Sequence, residues 1–174
     1  MTRGRIAAIA GLVFVIALAL WWILQPNDEE RVLRRLAAMQ EEFNAGAAGG
    51  LIACFATDFS DQTTDLTRGE LQAVFFRYFQ IIKRDEDKRP LVHVEYVDGL
   101  PQSVEFRAVT KGEVTSQTAH VTCLLQFTER ATADAPPKDT WQVRVDGEFA
   151  EYDGDWLLKA TQWETTKGQM PHGF

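Results

Sequence analysis

The chain has 174 residues, 45% of them hydrophobic and 25% charged, with a formal net charge of −7. That is enough apolar material for one packed domain, but the balance is too acidic for a protein that reads a phosphate backbone, which needs clustered lysine and arginine; no nucleic-acid partner is expected. Two cysteines, Cys54 and Cys123, without a histidine beside them do not make a zinc site, and no metal or cofactor is expected.

In chain order, the first feature is the uncharged run IAAIAGLVFVIALALWWIL, residues 6–24. As an α-helix it is about long enough to cross a hydrocarbon core of roughly 30 Å. Arg3 and Arg5 precede it, and Asp28, Glu29 and Glu30 follow. The positive-inside rule then keeps the N-terminus in the cytoplasm and sends the chain after Pro26 across the membrane. Trp21 and Trp22 sit where an interfacial aromatic belt would lie. A cleaved signal peptide competes with a retained anchor, because Ala17-x-Ala19 could serve as a cleavage site, although the apolar run continues beyond it. A buried core helix is the third reading, and an apolar run on all faces speaks against it. The expectation is residues 1–25 as a transmembrane signal-anchor in the inner membrane, residues 26–164 as a single extracytoplasmic (periplasmic) domain, and residues 165–174 as a flexible tail.

Asn27 is positioned to cap a helix over residues 28–44, with three acids in its first turn. Val32, Leu36, Met39 and Phe43 repeat along it at helical spacing. Gly46, Gly49 and Gly50 end it, and a short second helix is expected over residues 51–56. Thr67 and Glu70 fit a capping box that opens a third helix over residues 68–82. That helix is apolar nearly all round (Leu71, Val74, Phe75, Phe76, Tyr78, Phe79), so it is expected to be wrapped on most sides. The mixed run KRDEDKR, residues 83–89, cancels most of its own charge and reads as a solvated loop. From Leu91 the period changes to two, with strands expected over residues 91–97, 103–110, 114–128, 141–151 and 155–164. Asp153-Gly154 is a hairpin turn between the last two. On the third of these strands Val121, Cys123, Leu125 and Phe127 share one face, read as the inner one. Cys54 and Cys123 lie in apolar stretches of a compartment that permits disulfides. They are either two buried thiols or a bond closing a long loop, worth ~4 kcal/mol by chain entropy.

Helices followed by a meander of long strands make an α+β domain. A helix, a glycine-rich break, the sequence Phe55-Ala56-Thr57-Asp58-Phe59, and then Thr67-Arg68-Gly69-Glu70-Leu71 opening an aromatic helix resemble the nuclear transport factor 2-like (NTF2-like) superfamily. The closing Gly154-Asp155-Trp156-Leu157-Leu158-Lys159 is similar to that family's last strand. The resemblance spans residues 28–164 and implies a cone, a curved antiparallel sheet wrapped around a long helix. It also implies a carboxylate or histidine base inside that cone wherever the member is an enzyme. The candidates are Asp58, Tyr78, His93 and Tyr96; His120 is expected to face outward, and His172 lies in the tail. The tyrosine, base and protonated-acid set of the ketosteroid isomerases is not matched residue by residue, since the late acid has no counterpart on the inner face. Each candidate also has a structural role open to it: a local cap for Asp58, a core aromatic for Tyr78, a surface position for His93.

The expected function is therefore a non-enzymatic module of the cell envelope that binds a small apolar ligand or pairs with a protein. The alternative is a lyase or isomerase, which requires at least two of the four candidates to converge on one cavity. A homodimer built on outward members of the set Trp141, Val143, Trp156 and Trp163 is a further expectation, with alternation sending the others to the core.

Overall fold

The computed structural model describes residues 26–81, 90–101, 104–111, 114–132 and 134–170. The anchor expected over residues 6–24, the charged run 83–89 and His172 lie outside the described residues. Among the described residues no helix is long and apolar enough to cross a membrane.

Helix α1 (Asp28–Ala45) begins as its cap residue dictates: the Asn27 side chain accepts the Glu30 amide at 2.8 Å, and Asp28, Glu29 and Glu30 complement the helix dipole. It ends at Gly46, whose φ of 67° lies in the left-handed region open to glycine. Val32, Leu36 and Phe43 are its buried stripe. Helix α2 (Ala48–Ala53) follows at once, and then strand β1 (Phe55–Asp61). Helix α3 (Arg68–Ile81) leads to the strands β2 (Val92–Tyr96), β3 (Glu105–Lys111), β4 (Val114–Glu129), β5 (Lys138–Tyr152) and β6 (Asp155–Gly168).

The strands form one sheet in the order β1-β6-β5-β4-β2, with β3 also paired to β4. The length of β4 explains the branching. Its first half takes β3 (Glu105↔His120), and its second half takes β2 on the same edge (Val94↔Phe127). β5 and β6 meet through Asp153 and Gly154, with φ of 49° and 87°, the two left-handed residues that a tight hairpin turn requires.

α1 packs against β2 and β6. Asn44 closes the free edge of β2: its amide donates to the Val94 carbonyl at 2.9 Å and accepts the Val94 amide at 2.8 Å, standing in for a neighbouring strand. At the other end Arg35 donates to the Trp156 carbonyl at 3.0 Å, and the Trp156 indole donates to Asp28 at 3.2 Å.

Four expectations are corrected. Residues 55 and 56 begin a strand and do not end a helix; β1 runs parallel to β6 (Phe55↔Leu158, Asp61↔Thr161) with a register irregularity between, so the sheet is mixed and not purely antiparallel. A short apolar run cannot be assigned to helix or strand by periodicity alone, and the irregularity hides the alternation. α3 is not wrapped: Phe75, Tyr78 and Phe79 form one buried stripe against α2 and β1, while Phe76 and Ile81 are 46% and 58% exposed. The helix lying along the sheet is α1. Residues 165–168, expected to be frayed, continue β6 opposite β5 (Val143↔Thr165, Trp141↔Gly168), held by backbone pairing and by bonds from the Trp141 indole to the Thr165 hydroxyl at 2.9 Å and from the Thr166 hydroxyl to the Gln142 side chain at 3.0 Å. Finally, Trp141, Val143 and Trp156 are buried in the core with Trp163 packed against it, so these four do not supply an exposed dimer patch.

The Asn44 clamp carries a prediction. Asn44→Ala removes two bonds and leaves the Val94 backbone groups unpaired, and should lower unfolding free energy by about 2 kcal/mol in a urea titration, without changing secondary-structure content by circular dichroism.

Candidate functional site

Between α1, α3, β1 and the inner face of the sheet lies a cavity of about 330 Å³. Met39, Gln40 and Phe43 reach it from α1, and Leu71, Val74 and Phe75 from α3. Phe55 and Phe59 reach it from β1; Val94, Leu125, Phe127, Val143, Val145 and Leu158 come from the sheet. Aromatic rings build two of its walls. Phe43 meets Phe127 edge-on at 5.6 Å, Phe127 lies 4.9 Å from Trp141, and Trp141 meets Trp163 edge-on at 5.7 Å. On the β1 side Phe55 packs edge-on against Phe59 at 4.8 Å. These offset and edge-to-face contacts are the favourable geometries of ring quadrupoles, so the walls hold their shape without a ligand.

The polar groups at the cavity are few. Among the described lining residues the charged one is Asp61, 5% exposed. One carboxylate oxygen accepts the Thr161 hydroxyl at 3.1 Å and the Thr63 amide at 3.3 Å. The other accepts the Trp163 indole N–H at 3.1 Å and a short bond from the Thr64 hydroxyl. A carboxylate offers about four lone-pair positions, and four donors fill them. Asp61 is therefore tied to β6 and to its own loop. The Tyr96 hydroxyl donates to the Leu36 carbonyl of α1 at 3.1 Å, and burial pushes its ionisation above the ordinary tyrosine range, so it remains a neutral donor. Gln40 lines the same cavity, and its amide makes no hydrogen bond among the described residues.

No family profile matches the sequence, and no curated protein matches it. Solved structures do. An NTF2-like protein with a cystatin-like fold from Novosphingobium aromaticivorans aligns at a TM-score of 0.54 with 12% identity, over 88% of this chain and 90% of that one. A putative scytalone dehydratase from the same species aligns at 0.56 with 13% identity, over 79% and 83%. ActVI-ORFA from Streptomyces coelicolor aligns at 0.53 with 18% identity, over 78% and 95%. The fold is the NTF2-like, cystatin-like one. At these identities the likeness speaks for the fold alone.

In this NTF2-like frame the four candidate residues do not converge. Tyr96 lines the cavity. Tyr78 is buried beside it, between the Phe43 and Phe79 rings, where burial raises its ionisation; it is a core aromatic and not a lining residue. Asp58 is exposed and turned outward, accepting a short bond from the Tyr152 hydroxyl. Its charge and the surrounding protein push Tyr152 up to about 12, burial contributing first. His93 alternates with the buried Val92 and Val94, on the side away from the cavity. His120 faces outward too, in a polar hollow on the opposite face of the sheet, with Nε2 3.2 Å from the Thr118 hydroxyl and 4.0 Å from Glu148. Among the described residues no group of three or more histidines, cysteines or acids is placed to hold a metal ion.

The residue that sequence reading missed is Asp61. Asp58 and Asp61 stand three apart, so a strand turns them to opposite faces, and Asp61 shares the inward face of Phe55 and Phe59. The signal that could have found it is the polar cluster Asp61–Thr63–Thr64 immediately before the capping box.

Both cysteines are free thiols. Cys54 is buried and donates to the Gly50 carbonyl at 3.6 Å; burial raises its ionisation, with Arg35 opposing. Burial, helped by the Asp146 carboxylate, pushes Cys123 from 9.0 up to about 12. A thiol whose ionisation is raised by folding stabilises the fold fully below its unfolded value, and that contribution is lost as pH rises toward the folded one. Urea midpoints should therefore fall between about pH 9 and pH 12, with Tyr96 and Tyr78 adding to the decline in its upper part. Cys123→Ala should show a shallower decline over the same range.

Proposed function

We propose that this chain is a membrane-anchored envelope protein whose NTF2-like domain, outside the cytoplasm, holds a small apolar molecule without transforming it. The observation that carries the reading is the cavity itself: about 330 Å³, lined almost throughout by aliphatic and aromatic side chains, with its carboxylate already saturated by four donors. Ligand sites are typically concave and mostly apolar with a few polar groups that set orientation, and Gln40 and Tyr96 fill that part.

The anchor belongs to the same proposal. Residues 6–24 would cross the inner membrane once, with Arg3 and Arg5 on the cytoplasmic side and the acidic turn Asp28–Glu30 beyond it. Pairing with a second copy or with another envelope protein is compatible with this role, on a surface other than the tryptophans now found inside.

The lyase or isomerase reading asks for two of Asp58, Tyr78, His93 and Tyr96 at one cavity, and only Tyr96 lines it. A base must also have a lone pair free for the substrate proton, and those of Asp61 are taken. Neighbours of this fold are described as a putative scytalone dehydratase and a putative aromatic ring hydroxylase. Those descriptions fit a hollow that admits ring-bearing molecules, and the binding reading uses no more of them than that.

Native mass spectrometry of the full chain released from detergent micelles tests the proposal. The expected spectrum carries a co-purified small mass or takes up the neutral dye N-phenyl-1-naphthylamine at one per chain. Leu125→Trp, which fills the cavity from β4, should cut uptake at least tenfold while leaving circular dichroism unchanged. A wild-type chain that takes up nothing, or an equal signal from Leu125→Trp, would overturn it.

A further inference from the structure

We infer that the cavity selects by charge: it admits an uncharged, ring-bearing molecule with one hydrogen-bonding group and turns away anionic amphiphiles such as fatty-acid carboxylates. This rests on the binding reading above and names the ligand class that the reading leaves open.

The argument begins with what Asp61 must be. The Trp163 indole and the Thr63 amide can only donate, and each falls on a different oxygen of the carboxyl group. The Thr161 and Thr64 hydroxyls supply one further contact to each oxygen. With an N–H donor fixed on each oxygen and a hydroxyl free to donate to each as well, the site meets a carboxylate with four donors and favours the charged form over the acid.

The rest of the lining offers that charge no counterweight. No arginine, lysine or histidine is among the described residues around the cavity. An anionic head entering it would leave water, find no cation to pair with, and face a fixed negative charge across apolar walls, where charge–charge interactions are screened less than in water. A neutral ring system meets none of these costs. It can stack against the Phe127 and Trp141 rings and offer a carbonyl or hydroxyl to the Gln40 amide, which has no partner of its own among the described residues. The four donors hold Asp61 in place and occupy its lone pairs, so the charge acts on the ligand through the field and not through a hydrogen bond.

A matched pair of dyes isolates the charge. N-phenyl-1-naphthylamine and 8-anilinonaphthalene-1-sulfonate share the anilinonaphthalene skeleton and differ by the sulfonate. Each is offered to the full chain in detergent micelles, and the bound fraction is read by native mass spectrometry, with Leu125→Trp as the blank for adducts outside the cavity. The micelle takes up the neutral dye more readily, so partition works against the expected result. The wild type should bind the neutral dye at least tenfold better than the sulfonate. Gln40→Arg, which places a cation at the cavity without touching the Asp61 network, should raise sulfonate binding at least tenfold. Asp61→Asn should narrow the gap in the same direction if it folds; Gln40→Arg carries the test if it does not. Sulfonate binding within threefold of the neutral dye in the wild type, or a sulfonate signal unmoved by Gln40→Arg, would overturn the inference while leaving the cavity a ligand site. Failure of both dyes would remove the binding reading, and this inference with it.

Discussion

Asp61 gathers donors from two parts of the chain about a hundred residues apart, and the placement of β1 depends on it. A parallel strand arrives without a hairpin to set its register, so something beyond the turn must fix how β1 lies along β6. The Thr161 hydroxyl and Trp163 indole do this from β6, and the Thr63 amide and Thr64 hydroxyl fold the outgoing loop back on the same carboxylate. The Asp61 amide then donates to the Leu66 carbonyl at 2.9 Å, and Thr67 caps α3. One buried charge thus settles where β1 ends and where α3 begins, and α3 is the element that brings Leu71, Val74 and Phe75 to the cavity.

The same arrangement separates structure from reactivity. A carboxylate inside an apolar hollow invites a reading as a catalytic base, and the resemblance to enzyme-bearing folds strengthens that invitation. Four satisfied bonds answer it differently: the group is committed to holding β1, β6 and the loop together, and what remains available to a ligand is its field. Around it the aromatic walls are braced by one another, Phe43 against Phe127 and Trp141 against Trp163, so the hollow does not depend on a guest to stay open.

Much of the fold was legible because short-range chemistry announces itself. The Asn27 cap, the Thr67–Glu70 box and the Asp153-Gly154 turn each stand where a local hydrogen bond or a left-handed backbone demands them, and the structure has all three. The inner row Val121, Leu125 and Phe127 could be read from strand alternation. What escaped was decided over long distances or by an irregularity. Residues 51–56 read as a helix, so the alternation of β1 that sets Asp61 inside with Phe59 and leaves Asp58 outside went unseen. Alternation along β5 and β6 sorts residues into two faces without saying which face is concave, and it sends only some of Trp141, Val143, Trp156 and Trp163 to the core; in the structure three are buried and Trp163 packs against them. An apolar excess on α3 gave no indication of the side left to solvent. The end of β6 is polar, and its pairing with β5 rests on the backbone and on threonine hydroxyls bonded to Trp141 and Gln142, which a hydrophobic pattern does not display.

The central claim is that an apolar guest sits between α1, α3 and the inner face of the sheet. Methyl resonances test this most directly. Met39 and Met170 line the cavity, and Ile81 is exposed on α3. In a chain labelled with ¹³C at the methionine and isoleucine methyls, titration with a neutral apolar ligand should shift Met39 and Met170 and leave Ile81 in place. Movement of Ile81 with Met39 and Met170 unchanged would place the ligand on the outer surface and contradict the account.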